Sequence, residues 1–208
     1  MTGAWVFVVG PSGVGKDSVI NAAQQLLPSK KHIVFARRLV TRPSDGGALH
    51  DAVSSQAYRE LASSGALCWQ WQAHGFCYGI AASYLAAVRA GQLVVVNGSR
   101  AHVSSLAPTE DIKVVEIAAS AEQVALRLQQ RGRDSTAAVA SRLARNADIR
   151  ANVASVTSIT SAPFKPHKVI INDSSLAFAG GQLASYLLAT AGRATPAPAD
   201  GEQHFQAP

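Results

Sequence analysis

The sequence is poor in charged and aromatic residues, which make up 15% and 6% of its 208 residues, and it contains two cysteines and one methionine. No apolar run reaches the roughly 20 residues that a membrane-spanning helix needs, so an integral membrane protein is not expected. Because the aromatic residues do not alternate with basic ones, the sequence does not indicate a stacking surface for single-stranded nucleic acid.

The two cysteines, Cys68 and Cys77, are not expected to form a disulfide. No second pair of metal ligands accompanies them, so zinc binding is only a weak alternative. We expect reduced thiols in a cytoplasmic protein. An apolar segment begins at Trp5, which leaves no room for a signal peptide and favours the same location.

A glycine-rich loop lies between a predicted strand, Trp5–Val9, and a predicted helix, Ser18–Leu27. Strand, glycine loop and helix in this order are typical of a phosphate-binding loop, in which backbone N–H groups and the positive end of the helix dipole surround an anion. Lys16 adds a point charge for the β- and γ-phosphates of a nucleotide. The predicted nucleotide-binding residues are Gly10, Pro11, Ser12, Gly13, Val14, Gly15, Lys16, Asp17 and Ser18.

The residue after Lys16 departs from this motif, which has a serine or threonine hydroxyl there to hold Mg²⁺. Here that residue is Asp17, and the hydroxyl follows at Ser18. A carboxylate can also face Mg²⁺, directly or through water, because this ion prefers oxygen ligands and keeps several waters. Asp17 and Ser18 are therefore the predicted metal-binding residues.

Short apolar segments alternate with helical patterns along the chain, which predicts an α/β fold with a five-stranded parallel sheet flanked by helices. The predicted strands are Trp5–Val9, Ile33–Ala36, Leu93–Val96, Val114–Ile117 and Val169–Ile171. The predicted helices are Ser18–Leu27, Ala82–Ala90, Ala121–Arg131, Ala137–Arg150 and Leu176–Ala189.

We predict a single domain over residues 1–190, followed by a disordered, proline-containing tail over residues 191–208. Two stretches interrupt the strand–helix alternation: an insertion at about 37–80 and an arginine-rich segment at about 132–150. Both are candidates for mobile covers over the phosphate site. The net charge of +6, with basic residues grouped near the phosphate loop, favours phosphorylated small molecules as ligands.

Over roughly residues 4–190, the sequence resembles the guanylate kinase family of nucleoside monophosphate kinases. The resemblance implies a P-loop kinase fold with a substrate-binding insertion and an arginine-rich lid. The motifs that carry it are Gly10-Pro11-Ser12-Gly13 in the loop, Thr41-Arg42, Gly75-Phe76-Cys77-Tyr78-Gly79, and the lid segments Arg127-Leu128-x-x-Arg131-Gly132 and Arg142-Leu143.

The positions that read guanine in that family carry different residues here. Trp69 stands where the family has a glutamate, and Ile80 and Ala81 stand where it has two hydroxyl residues. A guanine edge would leave its polar groups unpaired against these apolar side chains, which is costly. The family's strand-end Asp-x-Asp becomes Asn97-Gly98-Ser99.

A narrower resemblance is to the ribose 1,5-bisphosphate phosphokinase family, and three segments carry it: Gly10–Ser18 with its aspartate after the lysine, Val96–His102, and Arg131-Gly132-Arg133. It implies transfer of the γ-phosphoryl group of ATP to the 1-phosphate of ribose 1,5-bisphosphate, giving 5-phosphoribosyl 1-diphosphate in bacterial phosphonate breakdown. It also implies ATP and Mg²⁺ as cofactors and a small-molecule substrate, without a nucleic-acid or membrane partner. Monomer and homodimer both remain open.

The same resemblance implies roles for individual residues. Lys16, Arg131 and Arg142 are the expected catalytic residues, and Arg133 is expected in the ATP site. The expected substrate-binding residues, which hold the two phosphates and the ribose between them, are Arg38, Arg42, Tyr78, Asn97, Ser99 and Arg100. Purely structural roles remain alternatives for three of these groups: a surface charge for Arg38, a polar strand cap for Asn97 and a solvated helix face for the lid arginines.

Two other functions also remain open. One is a nucleoside monophosphate kinase such as a guanylate kinase, which Trp69, Ile80 and Ala81 disfavour. The other is a non-catalytic binding module on the same scaffold, which the presence of Lys16 disfavours.

Overall fold

The computed structural model describes residues 3–27, 31–43, 50–73, 75–107, 109, 111–130 and 167–192. The strands in these ranges are β1 (Ala4–Val9), β2 (Ile33–Phe35), β3 (Arg38–Val40), β4 (His50–Ala52), β5 (Leu67–Ala73), β6 (Phe76–Ala81), β7 (Leu93–Asn97), β8 (Ile112–Ala118) and β9 (Lys168–Ile171). The helices are α1 (Lys16–Gln25), α2 (Ser55–Ser63), α3 (Tyr84–Arg89), α4 (Arg100–Ser104), α5 (Ala121–Gln130) and α6 (Leu176–Gly192). The predicted helix Ala137–Arg150 lies outside the described residues.

The central sheet has the strand order β2-β7-β1-β8-β9, and all its neighbouring strands are parallel. Each of its strands overlaps one of the apolar segments of the sequence, so the predicted five-stranded parallel sheet is confirmed. The loop after β1 and the end of β7 are neighbours, because Val8 is paired with Asn97 in the register of these two strands. The residues that follow β1 and β7 therefore lie close together at the carboxyl ends of the parallel strands.

The central strands β1 and β7 are buried along their whole length because both faces of the sheet are covered there, which explains why they are apolar without alternation. In β1, Val6 and Val8 belong to a core shared with α1 and α6, whereas Trp5 and Phe7 belong to a second core on the opposite face. Complete burial of a side chain such as Phe7 contributes about 1.5–3 kcal/mol.

Helices α1 and α6 pack closely at a glycine. A Cβ atom built on Gly180 would lie 2.5 Å from the Ala22 Cβ atom, so a larger residue would push the helices apart. This packing supports the helix that begins at the phosphate loop.

A second sheet, with the strand order β4-β3-β6-β5, covers one side of the molecule. Strands β5 and β6 form an antiparallel pair, β6 is antiparallel to β3, and β3 is parallel to β4. Trp71, Tyr78 and Ile80 from this sheet share the second core with Phe7 of the central sheet. The sheet occupies the predicted insertion at about 37–80, and the assignment of domain boundaries stays a prediction.

The two cysteines are free thiols, as expected. Burial raises the pKa of the Cys68 thiol to about 11, so it stays protonated near neutral pH. None of the helices in the described ranges is both long and apolar enough to span a bilayer.

Candidate active site

The glycine loop curves tightly between β1 and α1. Gly10, Gly13 and Gly15 have φ angles of 149°, 83° and 91°, in the region that side chains disfavour. The Lys16 ammonium group donates hydrogen bonds to the Gly10 and Pro11 carbonyl oxygens at 2.9 and 2.8 Å. The lysine therefore folds back over its own loop.

The loop is held from behind by two residues from distant parts of the chain. The Val14 carbonyl oxygen accepts a hydrogen bond from Asn172 Nδ2 at 2.9 Å and another from Arg127 Nη1 at 3.3 Å. Arg127 Nη2 also donates to the Asn172 carbonyl oxygen at 2.7 Å. These bonds fix the loop relative to the carboxyl ends of the strands.

The sequence analysis missed Asn172 as a residue of this site, and it placed Arg127 in a lid motif and not at the phosphate loop. Asn172 directly follows the last parallel strand and is buried, with 3% of its surface exposed. A polar residue at the carboxyl end of a parallel strand is the signal that could have found it.

Asp17, in the first turn of α1, accepts two hydrogen bonds on one carboxylate oxygen. Asn97 Nδ2 lies 2.6 Å from Asp17 Oδ1, and Arg38 Nη2 lies 3.2 Å from the same atom. Asn97 ends the central strand β7, and Arg38 begins β3 of the second sheet. The Asp17 carboxylate thus connects the phosphate loop, the central sheet and the second sheet, which brings three of the predicted site residues together.

Arg38 is a largely buried cation, because only 11% of its side chain is exposed. Burial lowers its pKa, the Asp17 carboxylate and the Tyr78 side chain oppose that shift, and the nearby positive charge of Arg42 adds to it. The Arg38 Cζ atom lies 5.7 Å from the centroid of the Tyr78 ring. The alternative of a surface charge at a strand end is therefore wrong for Arg38.

Aromatic rings fill the space between the two sheets next to Arg38. The Tyr78 and Trp71 rings are stacked at 5.5 Å, and the Trp71 and His102 rings are stacked at 5.0 Å. Trp69 meets His102 and Phe7 edge-on at 5.9 and 5.6 Å. Burial lowers the pKa of His102, which favours the neutral ring within the stack.

Two of the positions that distinguish this sequence from guanylate kinases, Trp69 and Ile80, belong to the apolar interior. Trp69 packs against the second core, and Ile80 is fully buried within it. The Trp69 Nε1 atom is buried without a hydrogen-bond partner. This surface offers apolar rings where a guanine edge would need polar partners.

Curated proteins similar to this chain include the ribose 1,5-bisphosphate phosphokinase PhnN of Acidiphilium cryptum (strain JF-5), which is 36% identical over 187 residues. The match covers 90% of this chain and 93% of that protein. The chain belongs to the ribose 1,5-bisphosphate phosphokinase family. No protein-family model matches the chain.

A second relative in this family is a fusion. The bifunctional ribose 1,5-bisphosphokinase-thymidine phosphorylase of Azorhizobium caulinodans is 43% identical over 146 residues. The match covers 69% of this chain and 21% of that protein, so the chain spans about a fifth of the fusion's length.

A solved structure supports the fold of this family member. The guanylate kinase from Anaplasma phagocytophilum matches with a TM-score of 0.61 at 15% identity, over 90% of this chain and 86% of that one. The fold is therefore guanylate kinase-like, as the sequence motifs implied.

The oxygen atoms at the head of α1 fit the Mg²⁺ ion that a kinase of this family is expected to use. Asp17 Oδ1 accepts hydrogen bonds from its two donors. The other carboxylate oxygen, Oδ2, and the hydroxyl of the next residue, Ser18, are then the candidate ligands for the ion. Mg²⁺ commonly takes only one or two protein oxygens and completes its shell with water and nucleotide phosphates. Among the residues that the structure describes, no group of three or more histidine, cysteine, aspartate or glutamate side chains could hold a metal.

The remaining predicted site residues are spread around the same edge of the sheet. Ser99 precedes α4 in an extended conformation, and Arg100 begins that helix. The Arg100 Nη1 atom lies 3.9 Å from Glu116 Oε1; burial lowers the Arg100 pKa and Glu116 opposes the shift. The predicted lid residues Arg131, Arg133 and Arg142 lie outside the described residues.

Proposed function

We propose that this chain is an ATP-dependent kinase that phosphorylates the 1-phosphate of ribose 1,5-bisphosphate and forms 5-phosphoribosyl 1-diphosphate. The relatives named for this activity support the assignment. The structural observation that carries it is the contact between Asp17 of the phosphate loop and the buried Arg38. This contact puts a cationic anchor for a second phosphorylated molecule beside the predicted nucleotide site.

The aromatic core favours a sugar phosphate over a nucleotide as the acceptor. Rings from Trp69, Trp71 and His102 are packed against one another beside Arg38. A purine would have to displace them and would leave its polar edge unpaired. A small acceptor with phosphates at both ends needs cationic anchors and hydroxyl partners, which the neighbouring arginines and Asn97 can supply.

The chemistry requires no general base, because the acceptor oxygen belongs to a phosphate that is already ionised at neutral pH. This oxygen forms a bond to the γ-phosphorus while the bond between that phosphorus and the oxygen of the departing ADP breaks. Catalysis then depends on in-line positioning and on neutralisation of phosphate charge. Lys16 lies over the loop with its ammonium group on two carbonyl oxygens, and a bound nucleotide would offer phosphate oxygens in their place.

The proposed roles of the site residues follow from these positions. Gly13, Gly15 and Lys16 hold the ATP phosphates, and either Ser18 or Asp17 lies in the shell of Mg²⁺, which would supply further charge neutralisation when bound. Arg38 and Arg42 each hold one acceptor phosphate. Tyr78 donates its hydroxyl to a phosphate, and the residues at the end of β7 and the start of α4 orient the ribose: Asn97, Ser99 and Arg100. Arg131 and Arg142 close over the transferring group, and Arg133 contacts ATP.

The cellular setting follows from the same proposal. An enzyme with ATP and a sugar bisphosphate as substrates works in the cytoplasm, where both are available. We propose that it acts as a monomer or homodimer and needs neither nucleic acid nor a membrane.

An assay of ADP release tests the proposed function. The purified chain is given ATP and Mg²⁺ with either ribose 1,5-bisphosphate or GMP, and 5-phosphoribosyl 1-diphosphate is measured directly. We expect turnover with the sugar bisphosphate and formation of that product. Turnover with GMP alone would instead identify a nucleoside monophosphate kinase.

The variant Lys16→Ala separates catalysis from simple binding. We expect it to lower kcat by about a hundredfold or more, the scale of a lost transition-state contact. Unchanged nucleotide affinity in this variant would favour the non-catalytic binding module.

A further inference from the structure

Asp17 sits where the phosphate loop meets the acceptor side of the site, and both of its hydrogen-bond donors are residues of the proposed acceptor site. We propose that Asp17 is a positioning residue for the acceptor: it orients Arg38 and Asn97, and its principal role is not metal binding. The proposal rests on the proposed function and goes beyond it by assigning a role to the aspartate in the phosphate loop.

The geometry fixes the orientation of both donors. A carboxylate can only accept hydrogen bonds, so Asn97 must present its NH₂ group to Asp17 and turn its Oδ1 atom away. The 2.6 Å separation between Asn97 Nδ2 and Asp17 Oδ1 makes this orientation firm. The same oxygen accepts a hydrogen bond from Arg38 Nη2 at 3.2 Å. One carboxylate oxygen therefore determines how two acceptor-site side chains point.

Each of these side chains keeps a buried polar atom without a partner. Asn97 Oδ1 accepts no hydrogen bond, and Arg38 Nε donates none. An unsatisfied buried polar atom is costly, so such atoms often mark a place for a ligand. A phosphate oxygen would satisfy the Arg38 donor, and a sugar hydroxyl would satisfy the Asn97 acceptor. The two open atoms match the chemistry of a sugar phosphate.

The charges support the same role. Arg38 is buried, and Asp17 is the anion that stabilises it. The hydrogen bond to Asp17 Oδ1 also holds the Arg38 side chain in its direction against repulsion from the neighbouring positive charge of Arg42. The Asp17 side chain itself is 48% exposed, so it is accessible from the site and not locked in the core.

Two variants separate positioning from metal binding. Asp17→Ala removes both hydrogen bonds, and we expect it to raise the KM for ribose 1,5-bisphosphate about tenfold while the KM for ATP changes less than about threefold. Asp17→Asn keeps a side-chain oxygen that both donors can use, so the acceptor KM should return to within about threefold of the wild-type value. The Mg²⁺ dependence should be the same in all three proteins.

Asp51→Asn is the matched control. Asp51 pairs with Arg37, the residue next to Arg38, at 2.7 Å, and both partners are about half exposed. Removing this surface charge should change neither the KM for ribose 1,5-bisphosphate nor the KM for ATP. An effect equal to that of Asp17→Ala would show that a general loss of negative charge is responsible, which would overturn the proposal.

The outcomes distinguish the two roles. If Asp17→Asn shifts the Mg²⁺ dependence as strongly as Asp17→Ala and leaves the acceptor KM unchanged, Asp17 is a metal ligand and the proposal is wrong. An acceptor KM that is unaffected by Asp17→Ala also overturns it.

A binding measurement keeps this test separate from the proposed function. Ribose 5-phosphate is titrated against the wild-type protein and both variants, and the concentration that gives half of the full thermal stabilisation is compared. We expect about tenfold weaker binding for Asp17→Ala and recovery for Asp17→Asn. If binding follows this pattern but ribose 1,5-bisphosphate is not turned over, the proposed reaction is rejected and the positioning role is retained. Equal binding by all three proteins, or none by the wild type, would reject the positioning role.

Discussion

The side-chain amide of Asn172 donates a hydrogen bond to the Val14 carbonyl oxygen at 2.9 Å, although 158 positions separate the two residues. Val14 lies in the phosphate loop, and Asn172 follows the last strand of the central sheet. The bond is buried, and Arg127 binds both residues. The shape of the nucleotide loop therefore depends on a segment near the end of the described chain.

The first prediction concerns this bond. Asn172→Ala should raise the KM for ATP about fivefold, because loss of a buried hydrogen bond costs about 1 kcal/mol when the carbonyl keeps another donor. The KM for the acceptor should stay within about twofold, since Asn172 does not contact the acceptor residues. Steady-state kinetics with each substrate varied in turn measures both constants. Equal increases in both would mean that the variant disturbs the whole site and not the loop alone.

The sequence predicts the central sheet well because its signal is local. Each strand is a short apolar run, and each pairs with a neighbour that is also a short apolar run. The glycines, Lys16 and the following helix are contiguous, so the phosphate loop is visible without any long-range information. Motif resemblance then supplies the family.

The second sheet is less predictable from sequence. Strands β3 and β4 have three residues each, and they contain Arg38, His50 and Asp51, which are not typical of a buried strand. Strand β3 is paired with β6, which lies far along the chain, and β4 is paired with β3. The contact of Asp17 with Arg38 is equally hard to predict, because it joins helix α1 to a strand of the second sheet and no sequence spacing relates the two residues.

The second prediction concerns the pair of Asp17 and Asn97. Asn97→Asp would set two carboxylates at hydrogen-bond distance, and we expect a loss of about 1–3 kcal/mol in the free energy of unfolding near neutral pH. The double variant Asp17→Asn with Asn97→Asp exchanges the amide and the carboxylate and should recover most of that loss. Urea denaturation of the wild type, both single variants and the double variant gives the coupling free energy. Additive effects of the two changes would show that the side chains do not interact.

The third prediction concerns the guanine position. Trp69→Glu should not create activity toward GMP, because the neighbouring rings of His102 and Phe7 still fill the space that a base would need. It should also lower the free energy of unfolding by about 2–3 kcal/mol, since the change removes a large ring that packs against the second core and puts a carboxylate beside apolar rings. Trp69→Phe is the control, and it should lose much less stability. GMP turnover by Trp69→Glu would show that one residue, and not the ring packing, excludes guanine.

The fourth prediction concerns His102 and acid. Burial lowers the pKa of His102 from its ordinary value of 6.5, so between that value and the lowered one the unfolded chain binds more protons than the folded chain. This contribution to stability is complete above 6.5 and is lost as the pH falls through the window. The variant His102→Phe keeps a ring against Trp71 and cannot take up a proton. Its free energy of unfolding should therefore fall less than that of the wild type between about pH 7.5 and about pH 5.5.

His167 provides the internal control for that comparison. Burial, and to a smaller extent the charge of Lys113, lowers the pKa of His167 as well. Protonation of His167 therefore also lowers the free energy of unfolding as the pH falls. Because both proteins retain His167, its contribution cancels when the two pH dependences are subtracted, and the difference reports His102 alone. Urea denaturation at both pH values gives that difference. An identical loss of stability in the two proteins would mean that the His102 ring reaches solvent and accepts its proton without leaving the stack.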